Sequence, residues 1–231
     1  LQPEMLRLKE LHKDDKVKLV EKYEKKIRYK AYIPIGAKGR LRGVQWTCLG
    51  LTRRSVVIEG NVYTWSEYLI WNAKQGYRFL HEFNGHWALI KICTALPKES
   101  GISAFHRGVH YKRFQKAEAR VAYVIGEFPW KIKRDDKTKI VDYVSPPYIL
   151  SKETSGSDIV WSRGQYISED RIWKSFRLKG VPPTQAGVAP AEENPWKSSK
   201  PVYLALGGLL GSVLLLFVLS LMLQQNALVH K

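Results

Sequence analysis

GYRFLHEFNGHWALIKI, residues 76–92, is the stretch whose reading decides the fold. Its centre, His81-Glu82-Phe83-Asn84-Gly85-His86, stands one residue away from the His-Glu-x-x-His signature of zinc proteases. That signature needs two imidazoles four apart on one face of a helix. Here the spacing is five, and Asn84-Gly85 lies inside it. Asn-Gly between alternating runs is the strongest short-range signal for a two-residue type I′ hairpin. Tyr77, Phe79, His81 and Phe83 alternate with Arg78, Leu80 and Glu82, and the alternation resumes from His86. A two-residue loop sets Phe83 opposite His86 and Glu82 opposite Trp87. Glu82 then points to the sheet face that neither histidine occupies, so it cannot act on a water they hold. His81 and His86 share a face as diagonal neighbours, roughly 7–8 Å apart at Cα, within reach of one ion. They are the candidate metal ligands, but no third ligand is visible in the sequence. The expected role of both is structural or hydrogen-bonding, with no cofactor.

Outward from this hairpin, residues 31–180 repeat the same vocabulary. GVQWTCLGL, SVVIEG, YTWSEYLIW, ARVAYVIG, KIVDYVS and DIVWSRG are short runs rich in β-branched and aromatic residues, bounded by Gly, Asn-Gly, Asp-Asp or Pro-Pro. Such spacing predicts a mainly β domain, an antiparallel sheet or barrel. Arg42-Gly43-Val44-Gln45-Trp46 is echoed 65 residues later by Arg107-Gly108-Val109-His110-Tyr111. Five residues are thin evidence for two related β sheets or half-barrels, and chance is the stronger explanation.

The flanks differ in kind. Residues 1–30 are dense in Lys, Glu and Leu and read as a charged linker helix. Residues 181–200 carry Pro throughout and read as a partly extended tether. From Val202 to Leu223 there are 22 residues without a charge. About 20 apolar residues cross a bilayer core, so 201–224 reads as one transmembrane helix, followed by a short tail at 225–231. Gly207/Gly211 and Gly208/Ser212 recur at the four-residue spacing that lets two helices approach in lipid. Ordinary use of Gly in a spanning helix is the plainer reading; if the patch packs, a homo-oligomer or a membrane-protein partner follows. The chain begins with Leu1 and stops soon after the span, so a fragment of a longer protein is expected.

Charge supports this placement. Lys and Arg number 38 against 21 Asp and Glu, a formal net charge of +17. Only one cation, Lys231, lies beyond residue 200. The positive-inside rule then puts the β domain in the cytoplasm, at the cell membrane. The basic pairs Arg40/Arg42, Arg53/Arg54, Lys112/Arg113 and Lys131/Lys133/Arg134 are scattered, which suits contact with anionic lipid better than a nucleic-acid track. Two cysteines, Cys48 and Cys93, make no disulfide framework and read as reduced, buried thiols.

Candidate catalytic chemistry is sparse. Glu67, Glu127 and Glu153 each sit among aromatic residues, where burial would raise a carboxyl pKa. Pairing with Arg, or capping of a turn, is the expected role of each. An enzyme would use Glu67 or Glu127 near His86, with or without zinc. No nucleophile elbow and no phosphate-cradling Gly loop accompanies them.

IPIGAKGRLRGVQWTCLGLTRRS and YTWSEYLIWNAKQGYRFLHEFNGHWALI, followed by VIGEFPWKI, VDYVSPPYILSKE and IVWSRGQYI, resemble a bacterial family, domain of unknown function 4178. The resemblance runs from about residue 31 to 180. It implies a β-rich module, often duplicated, sometimes behind a short zinc ribbon and followed by membrane segments. It also implies an envelope-associated system, and it carries over no catalytic residue. Within its motifs Trp65, Tyr77 and Trp87 read as filling a core or a groove, Gly76 and Gly85 as turn residues, and Glu67, Tyr68 and His86 as parts of the same unit. Gly126-Glu127-Phe128-Pro129-Trp130 reads as a strand end with a fixed bend, and Pro146-Pro147 as a strand stop. A membrane-anchored scaffold or ligand-sensing module is the expected function. A zinc- or carboxylate-dependent enzyme, and a module that binds nucleic acid or anionic lipid, are the alternatives.

Overall fold

The computed structural model describes residues 31–193. Within them the chain runs β1 (Lys38–Leu41), β2 (Val44–Ile58), β3 (Asn61–Asn72), β4 (Gly76–Phe83), β5 (His86–Ile92), β6 (Lys98–Ser100), β7 (Ser103–His106), β8 (Val109–Gly126), β9 (Lys137–Ser145), β10 (Tyr148–Ser155), β11 (Asp158–Ile167) and one short helix, α1 (Glu169–Phe176). Every pairing is antiparallel. β5 pairs with β11 and β2 with β8, so β2-β3-β4-β5-β11-β10-β9-β8 closes into an eight-stranded barrel. Closure removes the exposed sheet edges that an open sheet of this size would leave. β1 and the β6–β7 hairpin are extra strands outside the ring.

The opening stretch forms β4 and β5, with Phe83 opposite His86 and Glu82 opposite Trp87. Asn84 and Gly85 both take positive φ, 49° and 82°, as the type I′ turn requires.

The ring is two copies of one unit. β1 turns through Arg42-Gly43 into β2, and β7 turns through Arg107-Gly108 into β8; the four φ values lie between 50° and 79°. Each long strand then leads a meander of three more, β3–β5 and β9–β11. A pseudo-twofold relates the halves where they meet: Ser55 pairs with Arg120, 65 residues on, the offset of the turn echo. The structure makes that echo a relation between half-barrels rather than coincidence. Glu67-Tyr68 on β3 is matched by Asp142-Tyr143 on β9. Tyr68 pairs with Leu80, Tyr143 with Leu150, and all four side chains are buried. Tyr68 stacks on Trp87 with centroids 5.6 Å apart, and Tyr143 stacks on Trp161 at 6.0 Å.

These aromatic pairs face outward and seed two cores on the outside of the barrel. The first, around Trp46, Tyr68, Leu80 and Trp87, is covered by residues 31–37, β1 and the apolar face of α1, whose Ile172, Trp173 and Phe176 are buried. The second, around Tyr111, Tyr143, Leu150 and Trp161, is smaller and lies beside the β6–β7 hairpin. Each stacked tyrosine also ties down its cover: Tyr68 Oη accepts from Tyr32 N–H at 3.0 Å, and Tyr143 O–H donates to Glu99 on β6 at 2.5 Å.

Closure of the β2–β8 seam depends on Gly126, at φ 96°. A Cβ there would lie 2.3 Å from the Leu49 carbonyl oxygen. Past it the chain bends: Glu127 N–H donates to that carbonyl at 2.8 Å, and Trp130 reaches Phe79 at 5.9 Å. Pro146-Pro147 forms the two-residue turn between β9 and β10, with Ser145 opposite Tyr148.

Residues 184–192, placed by composition at the start of a tether, lie against the barrel instead. Ala186 N–H donates to the Asn84 carbonyl at 3.0 Å, and Ala189 and Ala191 are buried. A run poor in large apolar residues packs because its small side chains fit the mouth of the barrel. Arg54 corrects the reading of Arg53/Arg54 as a surface pair: strand alternation turns it inward, where it is 6% exposed. No helix among the described residues is long and apolar enough to cross a membrane. The charged helix at 1–30, the span at 201–224 with Gly207, Gly208, Gly211 and Ser212, and the tail at 225–231 lie outside the described residues.

Candidate functional site: the barrel lumen

Eight-stranded barrels either fill their interior with side chains or hold one small ligand. Here a cavity of about 430 Å³ remains, walled by alternate residues of all eight ring strands. Residues 188–191 border it at one end. Val56, Ile58, Ala88, Ile90, Ile140 and Ile149 make an apolar wall, and two polar clusters interrupt it.

The first cluster belongs to the first half. Arg54 Nη1 donates to Glu67 Oε1 at 3.3 Å and to both Glu153 oxygens at 3.0 Å. Glu67 Oε1 also accepts from the Trp65 indole at 2.7 Å, and His81 Nε2 stands 3.6 Å away. Burial alone would raise the Glu67 pKa, but Arg54, His81 and the indole N–H together hold it below the ordinary carboxylate value. Glu153 goes the other way. Burial pushes it up, and the Glu67 charge adds to that against the pull of Arg54. One guanidinium serves two acids and stands nearer to Glu153. Glu67 also has the indole, the Thr52 hydroxyl and His81, whereas Glu153 has the guanidinium alone among the described residues. A third of its side chain remains accessible, and that surface borders the cavity. Arg54 Nε has no hydrogen-bond partner among the described residues.

The second half places Asp142 at the position matching Glu67. Its partners are neutral: Gln115 Nε2 donates to Oδ2 at 2.6 Å, and the Ser151 hydroxyl donates to Oδ1. Among the described residues, then, its charge has no cation beside it comparable to Arg54.

At the mouth, His86 is 4% exposed. Its Nδ1 lies 3.1 Å from the Tyr166 hydroxyl and its Nε2 lies 3.2 Å from the Gly187 carbonyl, so the ring ties the barrel to the covering segment. Glu192 Oε2 stands 3.6 Å from Nδ1. Gln185 joins the same network, donating to Tyr166 at 3.2 Å and to Glu169 at 2.6 Å.

The structure thus brings Trp65, Glu67, Glu153, His81 and His86 to one lumen. It leaves Glu127 exposed past the end of β8, outside the cavity wall. His81 faces Glu67 and His86 faces Tyr166 and Gly187, so the two imidazoles are turned to different partners. No group of three or more His, Cys, Asp or Glu able to hold a metal occurs among the described residues. Both thiols are free, but only Cys48 is buried as expected, Cys93 just past the end of β5 being partly exposed. Burial pushes Cys48 up to about 12, which makes it a poor nucleophile. Arg54 and Asp142 were the residues that sequence reasoning missed; strand parity, counted from Glu67 and from Tyr143, is the signal that finds them.

A model of the family described as Domain of unknown function (DUF4178) matches residues 34–169, more than half of the chain. No curated protein and no solved structure matches it.

Proposed function

We propose that this chain, which belongs to the domain of unknown function 4178 family, is a ligand-binding module that takes one small, largely apolar molecule into the lumen of its barrel. The cavity carries this reading: about 430 Å³, walled by all eight strands, apolar with a few converging polar groups, is the form small-molecule sites take. The role is sensing rather than catalysis. Glu67 and Glu153 share one guanidinium nitrogen, and Asp142 is engaged by Gln115 and Ser151, so neither cluster sets a free base beside a nucleophile. The covering segment 184–192 supplies an output. A ligand that reaches the mouth meets the stretch tied down by His86, and that stretch leads on into residues 194–231.

The uncharged run at Val202–Leu223 supports anchorage in a membrane, with the barrel on the cytoplasmic side and its exposed basic residues toward anionic lipid. Protease digestion of the barrel from outside sealed cells would reverse that orientation.

Binding is tested with the neutral fluorophore N-phenylnaphthylamine and the full chain in lipid nanodiscs. Saturable one-to-one binding is expected. It should be lost in Ala88→Trp, which fills the lumen, while thermal unfolding still shows one cooperative transition. Binding that Ala88→Trp leaves intact would overturn the proposal.

A further inference from the structure

We infer that the lumen selects a ligand with an apolar body and a single cationic group, an alkylammonium in chemical class, seated between Glu153 and the aromatic wall. The inference rests on the lumen being a ligand site and adds the charge of what enters. Three independent observations carry it.

The first is a charge imbalance against the trend of the chain. Cations outnumber anions 38 to 21 overall, yet the lumen holds Glu67, Asp142 and Glu153 against the one guanidinium of Arg54 and two imidazoles, His81 beside Glu67 and His86 at the mouth. Buried charges are tolerated when paired, so an interior with spare acid favours an incoming cation over an anion.

The second is the unmet capacity of one group. A carboxylate accepts at about four lone-pair positions. Among the described residues, Glu153 is given only Arg54 Nη1, shared between its two oxygens. The part of Glu153 left accessible borders the cavity. An ammonium donor there would complete its coordination and relieve the repulsion from Glu67.

The third is the wall. Tyr63, Trp65, Phe83, Phe114 and Tyr166 line the same cavity. Aromatic faces beside carboxylates attract alkylammonium groups through the ring quadrupole. Trp65 already receives a cation in this way, with Arg54 Cζ 5.6 Å from its ring centroid.

The test uses three ligands of one shape, cyclohexylamine, cyclohexanol and cyclohexanecarboxylate, which compete for N-phenylnaphthylamine on the full chain in zwitterionic nanodiscs near pH 7. The amine should displace the probe at a concentration at least tenfold below that of the alcohol, with the carboxylate weakest. Glu153→Gln should cut the amine's advantage to threefold or less. Asp142→Asn, which leaves the Arg54 cluster intact, should lower it less. Equal displacement by amine and alcohol, stronger displacement by the carboxylate, or an amine advantage that survives both variants would overturn the inference while leaving a lumen that binds. Absence of probe binding to the wild type would instead remove the ligand-site reading beneath it.

Discussion

The two halves of the barrel share a backbone plan and divide the chemistry unequally. In residues 38–92 the inward carboxylate, Glu67, meets a guanidinium, an indole and an imidazole besides the Thr52 hydroxyl. In residues 103–167 its counterpart, Asp142, meets an amide and a hydroxyl. The outer faces diverge as well, the first core roofed by α1 and the second flanked by a two-stranded hairpin. The tyrosine–tryptophan stack occurs in both, where it holds the wall together, and the lumen is where the halves differ. A duplicated wall with unlike linings gives a cavity with a charged side and a neutral polar side, which a symmetric barrel would lack.

The largest effects should come from cutting the unlike partners. Arg54→Ala strands a buried carboxylate and is expected to cost about 3–5 kcal/mol in denaturant unfolding. Gln115→Ala removes a neutral donor from Asp142 and should cost less, about 1.5–3 kcal/mol. Equal costs would mean that the two acids are held alike.

The outer cores should show a similar order. Trp87→Ala opens the roofed core and should cost about 3–5 kcal/mol. Trp161 has fewer buried neighbours and Lys152 beside its ring at 5.6 Å, so Trp161→Ala should fall near or below the lower end of that range. A larger loss at Trp161 would reverse the ranking of the two cores.

Next come the two seams that close the ring. Gly126→Ala combines a left-handed backbone with a carbonyl at 2.3 Å, and only backbone movement relieves that contact. A loss of at least ~3 kcal/mol is expected. At the β5–β11 seam, Gly164 faces the Ile90 δ-methyl, which can turn aside, and the Ile149 γ2-methyl, which moves only with χ1, so Gly164→Ala should cost about 1–3 kcal/mol.

The smallest effect is a slope. Glu153 has a folded pKa above its ordinary 4.5, so the folded state holds the extra proton between those two values. Its contribution is complete below about 4.5 and is lost as pH rises through the folded pKa. Glu67, held low, acts oppositely, and its contribution fades as pH falls through its folded value. Glu153→Gln should therefore flatten the decline of stability above pH 4.5 and leave the acid limb in place. Chemical denaturation across pH reads both limbs.

Much of this comparison was legible from local residues. Asn84-Gly85 demands one turn geometry, so its hairpin and the opposite facing of Glu82 and the histidines followed from alternation alone. The paired Arg-Gly-Val turns were visible for the same reason. The deeper repeat was not, because Glu67-Tyr68 and Asp142-Tyr143 stand 75 residues apart while the turns stand 65 apart. The loop after β8 is longer than the turn after β2, and it shifts the register of everything downstream. Closure by β2 with β8 is a non-local pairing that no short window records. The inward turn of Arg54 follows from strand parity once the β2 register is known, whereas its neighbour Arg53 makes the pair look like surface. The packing of residues 184–192 escaped because alanine and glycine carry little hydrophobic signal of their own.

The central claim is that the halves enclose one ligand cavity. Its most direct test is the backbone amide spectrum of the isotopically labelled full chain, titrated with N-phenylnaphthylamine. Saturable shifts are expected at inward positions of both halves, Val56 and Ala88 in one and Ile140 and Ile149 in the other, with Gly187 moving at the same midpoint. Shifts confined to the outer cores, around Trp173 or Trp161, with the inward positions unmoved, would contradict it.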